Sequence, residues 1–341
     1  MNSRSALPVY IGLLLLMAAP ALVGAANPPV DAPPLLDEAA MSARIDQFIS
    51  THWAEKGVKP APRAGDAEFF RRLSLDLNGR IPSITHLTDF LDDDRPNKRQ
   101  IWANRLMDGR DPNFPKFDQE AASLYVNHFA NYWRSVLFSQ TTNQQAAFLG
   151  FQLDAWLRKH IKENTPYDQV VRELLTTPQG LSFYQANENK PENIASNVAR
   201  LFLGVKLECA QCHDDRSGGH WTRRQFWESA AFFENFARGG RQAQAFALQG
   251  QGQLPPAGST PPKIKIPDKN ETVEAKFLDG VQPEWKAGAN PQKVFADWMT
   301  DADNPYFAKA AVNRMWYYFM GTGLVDPVDF MATDENPPSH P

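Results

Sequence analysis

The sequence predicts a mainly α-helical protein: a multi-helix, bundle-like domain, then a long Gln/Gly/Pro-rich linker with a small β-hairpin, then a short C-terminal helical segment. Three observations predict it. Apolar residues recur at helical spacing in stripe after stripe. Gly, Pro and capping residues punctuate those stripes at short intervals. Hydrophobic residues make up 43% of the 341 positions, with nine Trp and 22 Phe, enough for a sizeable core without disulfide scaffolding.

The chain opens on a stretch that reads as a signal peptide, residues 1–25. Arg4 supplies a short positive region, Val9 to Val23 is almost wholly apolar around Leu13 to Leu16, and Val23-Gly24-Ala25 fits a small-residue cleavage site. Export to the periplasm or the exterior is expected, and no later segment is apolar enough to span a bilayer. A Pro-rich lead, residues 26–36, precedes the main domain, expected over 37–237.

Within that domain, Met41, Ile45, Phe48, Ile49 and Trp53 share one face of a first helix over about 37–57, with Asp37 as its cap. A second helix runs from Asp66 to Asn78, burying Phe69, Phe70, Leu73 and Leu77 and stopping at Gly79. Ser83 caps a short third carrying Ile84, Leu87, Phe90 and Leu91, and the Asp92–Asp94 run after it reads as a solvated turn. A fourth follows Pro96 through Ile101, Trp102, Arg105 and Leu106. The most regular stripe joins Ala121, Leu124, Tyr125, His128, Phe129, Tyr132, Trp133 and Val136 and predicts a helix at the centre of the bundle.

Helices over about 145–163 and 167–176 follow, punctuated by Pro166 and Pro178. Ile194, Val198, Leu201, Phe202 and Val205 define a helix leading straight to Cys209, and Thr222 with Gln225 forms a capping box ahead of Phe226, Trp227, Ala230 and Phe233. The linker region, 238–275, begins with a loosely packed stretch from Gly239 to Pro262. Ile264, Ile266, Val273 and Phe277 suggest short strands beyond it, with a hairpin around Asp268-Lys269-Asn270. In the last segment, 276–341, Pro291 opens one helix, and Asn304 with Pro305 opens another that Gly321 and Gly323 end.

The formal charge of −4 leaves no basic footprint, and no Lys/Arg cluster is interleaved with aromatics, so nucleic acid is not an expected partner. The G-x-G-x-x-G, P-loop and G-x-S-x-G signatures are absent from the sequence.

The only two cysteines stand in Cys209-Ala210-Gln211-Cys212-His213, the C-x-x-C-H spacing that attaches a c-type haem covalently. Each thiol can form a thioether with one haem vinyl group, and His213 then offers an imidazole to the iron. Candidates for the sixth iron position are His220, His128 on the central stripe, and the thioethers of Met315, Met320 and Met331. His128 can equally be a core histidine bonded to a neighbour, and the methionines can be core filler. Two other readings of the motif stay open: a Cys209–Cys212 disulfide, or a metal site using Cys209, Cys212 and His213 with Asp214, Asp215 or His220. Asn313 and Arg314 could form a further polar site, or serve local capping and ion pairing.

Several runs carry a resemblance. Phe70-Arg71-Arg72-Leu73-Ser74-Leu75-Asp76-Leu77, Pro166-Tyr167-Asp168-Gln169, Leu201-Phe202-Leu203-Gly204-Val205, Cys209 to Asp214, and Trp221-Thr222 resemble the planctomycete cytochrome-type domain of unknown function, over about 40–237. Asp303 to Ala308, Val312 to Trp316, Gly321 to Val325 and Pro337 to Pro341 resemble the start of its companion planctomycete domain. The resemblance implies a secreted, largely helical protein of planctomycete-like bacteria with a cytochrome label. In that family a second histidine and a proline closely follow the motif; here the segment reads Asp214-Asp215-Arg216-Ser217-Gly218-Gly219-His220, which leaves His220 in a shifted position. The companion domain normally continues past a Pro-Pro-Ser-His-Pro segment, so the last module reads as incomplete.

The sequence therefore points first to an extracytoplasmic c-type haem protein that passes electrons to an unidentified redox partner or envelope protein. The alternatives are a haem-free helical scaffold module of the cell envelope stiffened by the disulfide, and a metal-binding protein.

Overall fold

The computed structural model describes residues 36–110, 118–139, 144–216, 221–234, 261–331 and 336–340. The expected signal peptide, nearly all of the Pro-rich lead, most of the Gly239–Pro262 stretch and His220 lie outside the described residues. The chain divides into two units, 1–58 and 59–341. The fold is mainly helical, as the stripes predict.

The first unit contributes α1 (Glu38–Lys56). Asp37 caps it by accepting from the Ala40 amide at 2.7 Å, and Gly57 ends it in the left-handed conformation. No residue of α1 is buried, so the stripe of Met41, Ile45 and Phe48 is exposed.

In the second unit, α2 (Asp66–Asn78), α3 (Ile84–Leu91) and α4 (Lys98–Asp108) surround a small aromatic core. Phe70 stacks on Phe90 with ring centroids 4.4 Å apart, and Trp102 meets both edge-on. Of the apolar residues that α3 carries, Phe90 is buried and Leu87 packs against the small core, whereas Ile84 and Leu91 are exposed.

In the Asp92–Asp94 turn, Asp92 and Asp94 are exposed, as a solvated turn predicts, but Asp93 is a correction. Asp93 is mostly buried: its carboxylate takes paired hydrogen bonds from Arg95, with Nε to Oδ1 at 2.8 Å and Nη2 to Oδ2 at 2.6 Å, and one from Trp102 Nε1 at 2.9 Å. Arg95 and these hydrogen bonds hold its carboxyl well below the usual carboxylate range. Asp93 should therefore contribute stability in full above the unfolded carboxylate's pKa of about 3.9 and lose it as the pH falls below that value. Urea titrations across this range should show Asp93→Asn less stable than the native chain at pH 7, with the gap narrowing in acid; a constant gap would contradict the assignment.

α5 (Gln119–Leu137) is central, as its stripe predicts. Ala121 and Phe129 belong to the small core, and Ala130 and Leu137 to a larger one. That larger core is completed by α6 (Gln144–Lys162), α7 (Tyr167–Thr176), α8 (Leu181–Ala186), α9 (Pro191–Val198) and α10 (Arg223–Ala230), then by the hairpin and α11 (Pro291–Met299), with Phe307 at the start of α12 (Phe307–Met320). The hairpin pairs β1 (Lys263–Lys265) with β2 (Thr272–Glu274), antiparallel, in the register Ile264 to Val273. Both of those residues face inward, while Lys263 and Glu274 form an ion pair at 2.8 Å outside.

The stretch leading to the cysteines is not one continuous helix. After α9 the backbone widens into a π-helical turn, Ala199–Leu203, and reverses at Gly204 with φ at 63°. A side chain at Gly204 would be strained at that φ and would also collide with the Met331 sulfur, 2.7 Å from where its Cβ would stand.

Candidate functional site: the Cys209–His213 turn

Beyond Gly204 the chain leaves regular structure over residues 205–207, with Val205 and Leu207 buried and Lys206 outward. It then tightens into a 3-10 turn, Glu208–Gln211. Ala210 is fully buried in that turn, so Leu207 and Ala210 act as the apolar pegs that seat it. With the pegs inward, Cys209 is left half-buried, and Cys212 and His213 are exposed.

The far side of the turn is tied to α10. The Gln211 carbonyl accepts from Trp227 Nε1 at 3.1 Å and from Arg223 Nε at 3.2 Å, while Arg223 Nη2 reaches the Pro267 carbonyl in the hairpin turn at 2.7 Å. Asp214 Oδ1 accepts from the Arg223 amide at 2.8 Å, satisfying a free N–H in the first turn of α10. The predicted capping box is present at the same place: Thr222 Oγ1 accepts from the Gln225 amide, and Gln225 Oε1 accepts from the Thr222 amide. Sequence reasoning found that cap and missed the clamp on Gln211, whose one signal was a Trp and an Arg on the helix after the motif.

The two thiols are free. His213 Nδ1 lies 2.9 Å from the Asp214 carbonyl oxygen. A carbonyl can only accept, so Nδ1 carries the proton and Nε2 keeps its lone pair. Among the described residues, no group of three or more His, Cys, Asp or Glu side chains is placed to hold a metal ion. Asp214 caps α10 and Asp215 is buried, its amide donating to the Trp221 carbonyl at 2.7 Å.

Residues 44–238, more than half of the chain, match the family model PSCyt2, described as a protein of unknown function (DUF1549). The chain belongs to the PSCyt2 family. Residues 291–341 match a second model, PSD1, also described as a protein of unknown function (DUF1553). No curated protein and no solved structure matches the chain. No helix among the described residues is long and apolar enough to cross a membrane.

The other sequence candidates fall elsewhere on the PSCyt2 and PSD1 segments. His128 has a hydrogen-bond partner: its Nε2 lies 2.5 Å from the Tyr318 hydroxyl, which donates in turn to the Asp76 carbonyl at 2.6 Å. Tyr318 therefore accepts from His128 Nε2–H, and that nitrogen is not open to a metal. Burial lowers the His128 pKa, with the nearby Asp76 carboxylate partly opposing it, and burial pushes the Tyr318 hydroxyl up to about 12. Met315 packs against the small core, Met331 packs on Gly204, and Met320 is exposed.

Asn313 and Arg314 do local structural work. Asn313 donates to the Val325 carbonyl at 2.8 Å and accepts from the Val325 amide at 3.0 Å, which closes the loop after α12. Arg314 pairs with Asp329, which Arg200 also holds at 2.8 Å. This ion network joins the PSD1 segment to the π-helical turn of PSCyt2, and nothing in the local sequence pattern announces it.

Proposed function

We propose that this protein is an exported c-type haem protein that transfers electrons, with haem joined to Cys209 and Cys212 and its iron held by His213. The observation that carries the reading is the His213 imidazole: its Nδ1–H is engaged by the Asp214 carbonyl, so the exposed Nε2 has the lone pair an iron ligand needs. Two unpaired thiols beside it, on a turn seated by Leu207 and Ala210 and clamped through Gln211, offer the nucleophiles that thioether attachment requires. The donor set fits haem c. Bound there, the iron would supply one-electron oxidation and reduction.

None of the three donors belongs to the large core, and Cys212 and His213 are exposed, so the group is an accessory carried at the surface of the fold. His220 is the proposed sixth ligand. The apolar run from Val9 to Val23 supports export, which would put the thiols in a compartment where c-type haem is attached.

The test is expression of the full chain through a host with the c-type maturation machinery. Sharp reduced α and β bands in a pyridine haemochrome spectrum, with haem stain that survives denaturation, are expected, and Cys209→Ala/Cys212→Ala should abolish both. A colourless product would overturn the reading, and thiol counting with metal analysis would then choose between the disulfide scaffold and the metal site.

A further inference from the structure

Between α5, α6 and α7 lies a cavity of about 190 Å³ that the haem reading does not use. Its walls are mostly apolar, with the rings of Tyr125, Trp133, Trp156, Tyr167 and Phe202 set among aliphatic side chains. Volume scales the guest: an apolar cavity of about 150 Å³ accepts benzene, so this partly open pocket has room for a ring with one or two small substituents. The aromatic residues of the wall favour a flat ring, which they can meet edge-on or offset.

One edge is polar. His160, only 6% exposed, has Nδ1 3.0 Å from Thr165 Oγ1, and its Nε2 lies 3.2 Å from Glu173 Oε2 without hydrogen-bond alignment. Glu173 Oε1 is fixed by Trp156 Nε1 at 2.7 Å. A carboxylate facing Nε2 favours the tautomer with its proton there, so Nδ1 accepts the Thr165 hydroxyl hydrogen. Thr165 Oγ1 then retains lone pairs at the cavity wall and can accept one more hydrogen bond. Glu173 behind the imidazole disfavours an anionic guest.

We propose that this cavity binds a neutral, single-ring aromatic alcohol of the phenol class, its ring among the aromatic residues of the wall and its O–H donated to Thr165 Oγ1. The polar edge discriminates between ligands of one shape, because only the ring that carries a hydroxyl can donate to Thr165 Oγ1.

The test uses the full chain with 4-fluorophenol and 4-fluorotoluene as probes, followed by ¹⁹F NMR and by the fluorescence of Trp133 and Trp156. Both probes are expected to bind saturably, 4-fluorophenol about tenfold more tightly for its one extra hydrogen bond. Thr165→Val keeps the shape and removes the acceptor, so it should abolish the preference while leaving 4-fluorotoluene affinity in place. Val170→Phe, which fills the cavity from its wall, should abolish binding of both where circular dichroism shows a native fold. Absence of saturable binding by the native chain, equal affinity for the two probes, or an unchanged preference in Thr165→Val would each overturn the proposal. The Thr165→Val comparison decides the matter if Val170→Phe does not fold.

Discussion

A chain ending at residue 290 is expected to lose its cooperative unfolding transition. Residues 291–341 match a family model of their own, yet they supply part of the main core. Phe295 and Met299 of α11 and Phe307 of α12 are buried in it. The Phe295 ring lies 5.1 Å from that of Phe232 and 5.4 Å from that of Phe233, and Phe307 stacks on Tyr167 at 5.4 Å. Burying one large apolar side chain contributes about 1.5–3 kcal/mol, so these three together contribute about 6 kcal/mol. The whole stability of a domain is only about 5–15 kcal/mol. Truncation would also leave the buried Phe232 carbonyl without the Gln292 side chain that donates to it at 2.9 Å. Far-UV circular dichroism with urea titration of the shortened and full chains would check this. A cooperative transition of near-native midpoint in the shortened chain would mean that the two family segments are separately stable.

What the sequence makes legible is what neighbouring residues decide. Helix positions follow from stripes that must be buried and from caps such as Asp37, Ser83 and Thr222, whose bonds run only three residues ahead. The hairpin follows from an apolar alternation around Asp268, which takes the left-handed conformation in its turn. Partners far along the chain are not legible. Asp93 sits in an acidic run whose pattern reads as solvated, and only the fold brings the Trp102 indole to it. The stripe of α1 has the period of a core helix, but periodicity alone does not show whether anything covers it. The candidate site divides the same way. Its residue types and spacing are plain in the sequence, whereas the direction its side chains take depends on Leu207 and Ala210 entering the core and on α10 holding Gln211. The PSD1 segment is legible as helices, but its joint to the PSCyt2 segment rests on Asp329 meeting two arginines remote in sequence.

That joint yields the second large effect: Asp329→Asn is expected to cost about 3 kcal/mol, because it removes the one carboxylate from a nearly buried pair of guanidiniums. The side chains of Arg314 and Arg200 are 7% and 13% exposed, and the Nε atoms of both are buried without a hydrogen-bond partner, so neither charge can turn to water when the carboxylate goes. Their remaining bonds are to neutral acceptors, Arg314 to the Leu201 carbonyl at 3.3 Å and Arg200 to Asn197 Oδ1 at 2.7 Å and Ser139 Oγ at 3.0 Å, which do not offset two like charges held together. Asn keeps the volume of Asp, so the loss is electrostatic rather than a cavity effect. An exposed pair supplies the contrast: Glu68→Gln breaks the ion pair with Arg72 on α2, where solvent screens both charges, and should shift the urea midpoint very little. The location of the damage is also predicted. Asp329 holds α12 against residues 199–203, the turn that feeds the cysteines, so amide hydrogen exchange in Asp329→Asn should rise over 199–213 before it rises in the hairpin. A uniform rise across the chain would mean that the network stabilises the fold without specifically supporting the turn that presents Cys209, Cys212 and His213.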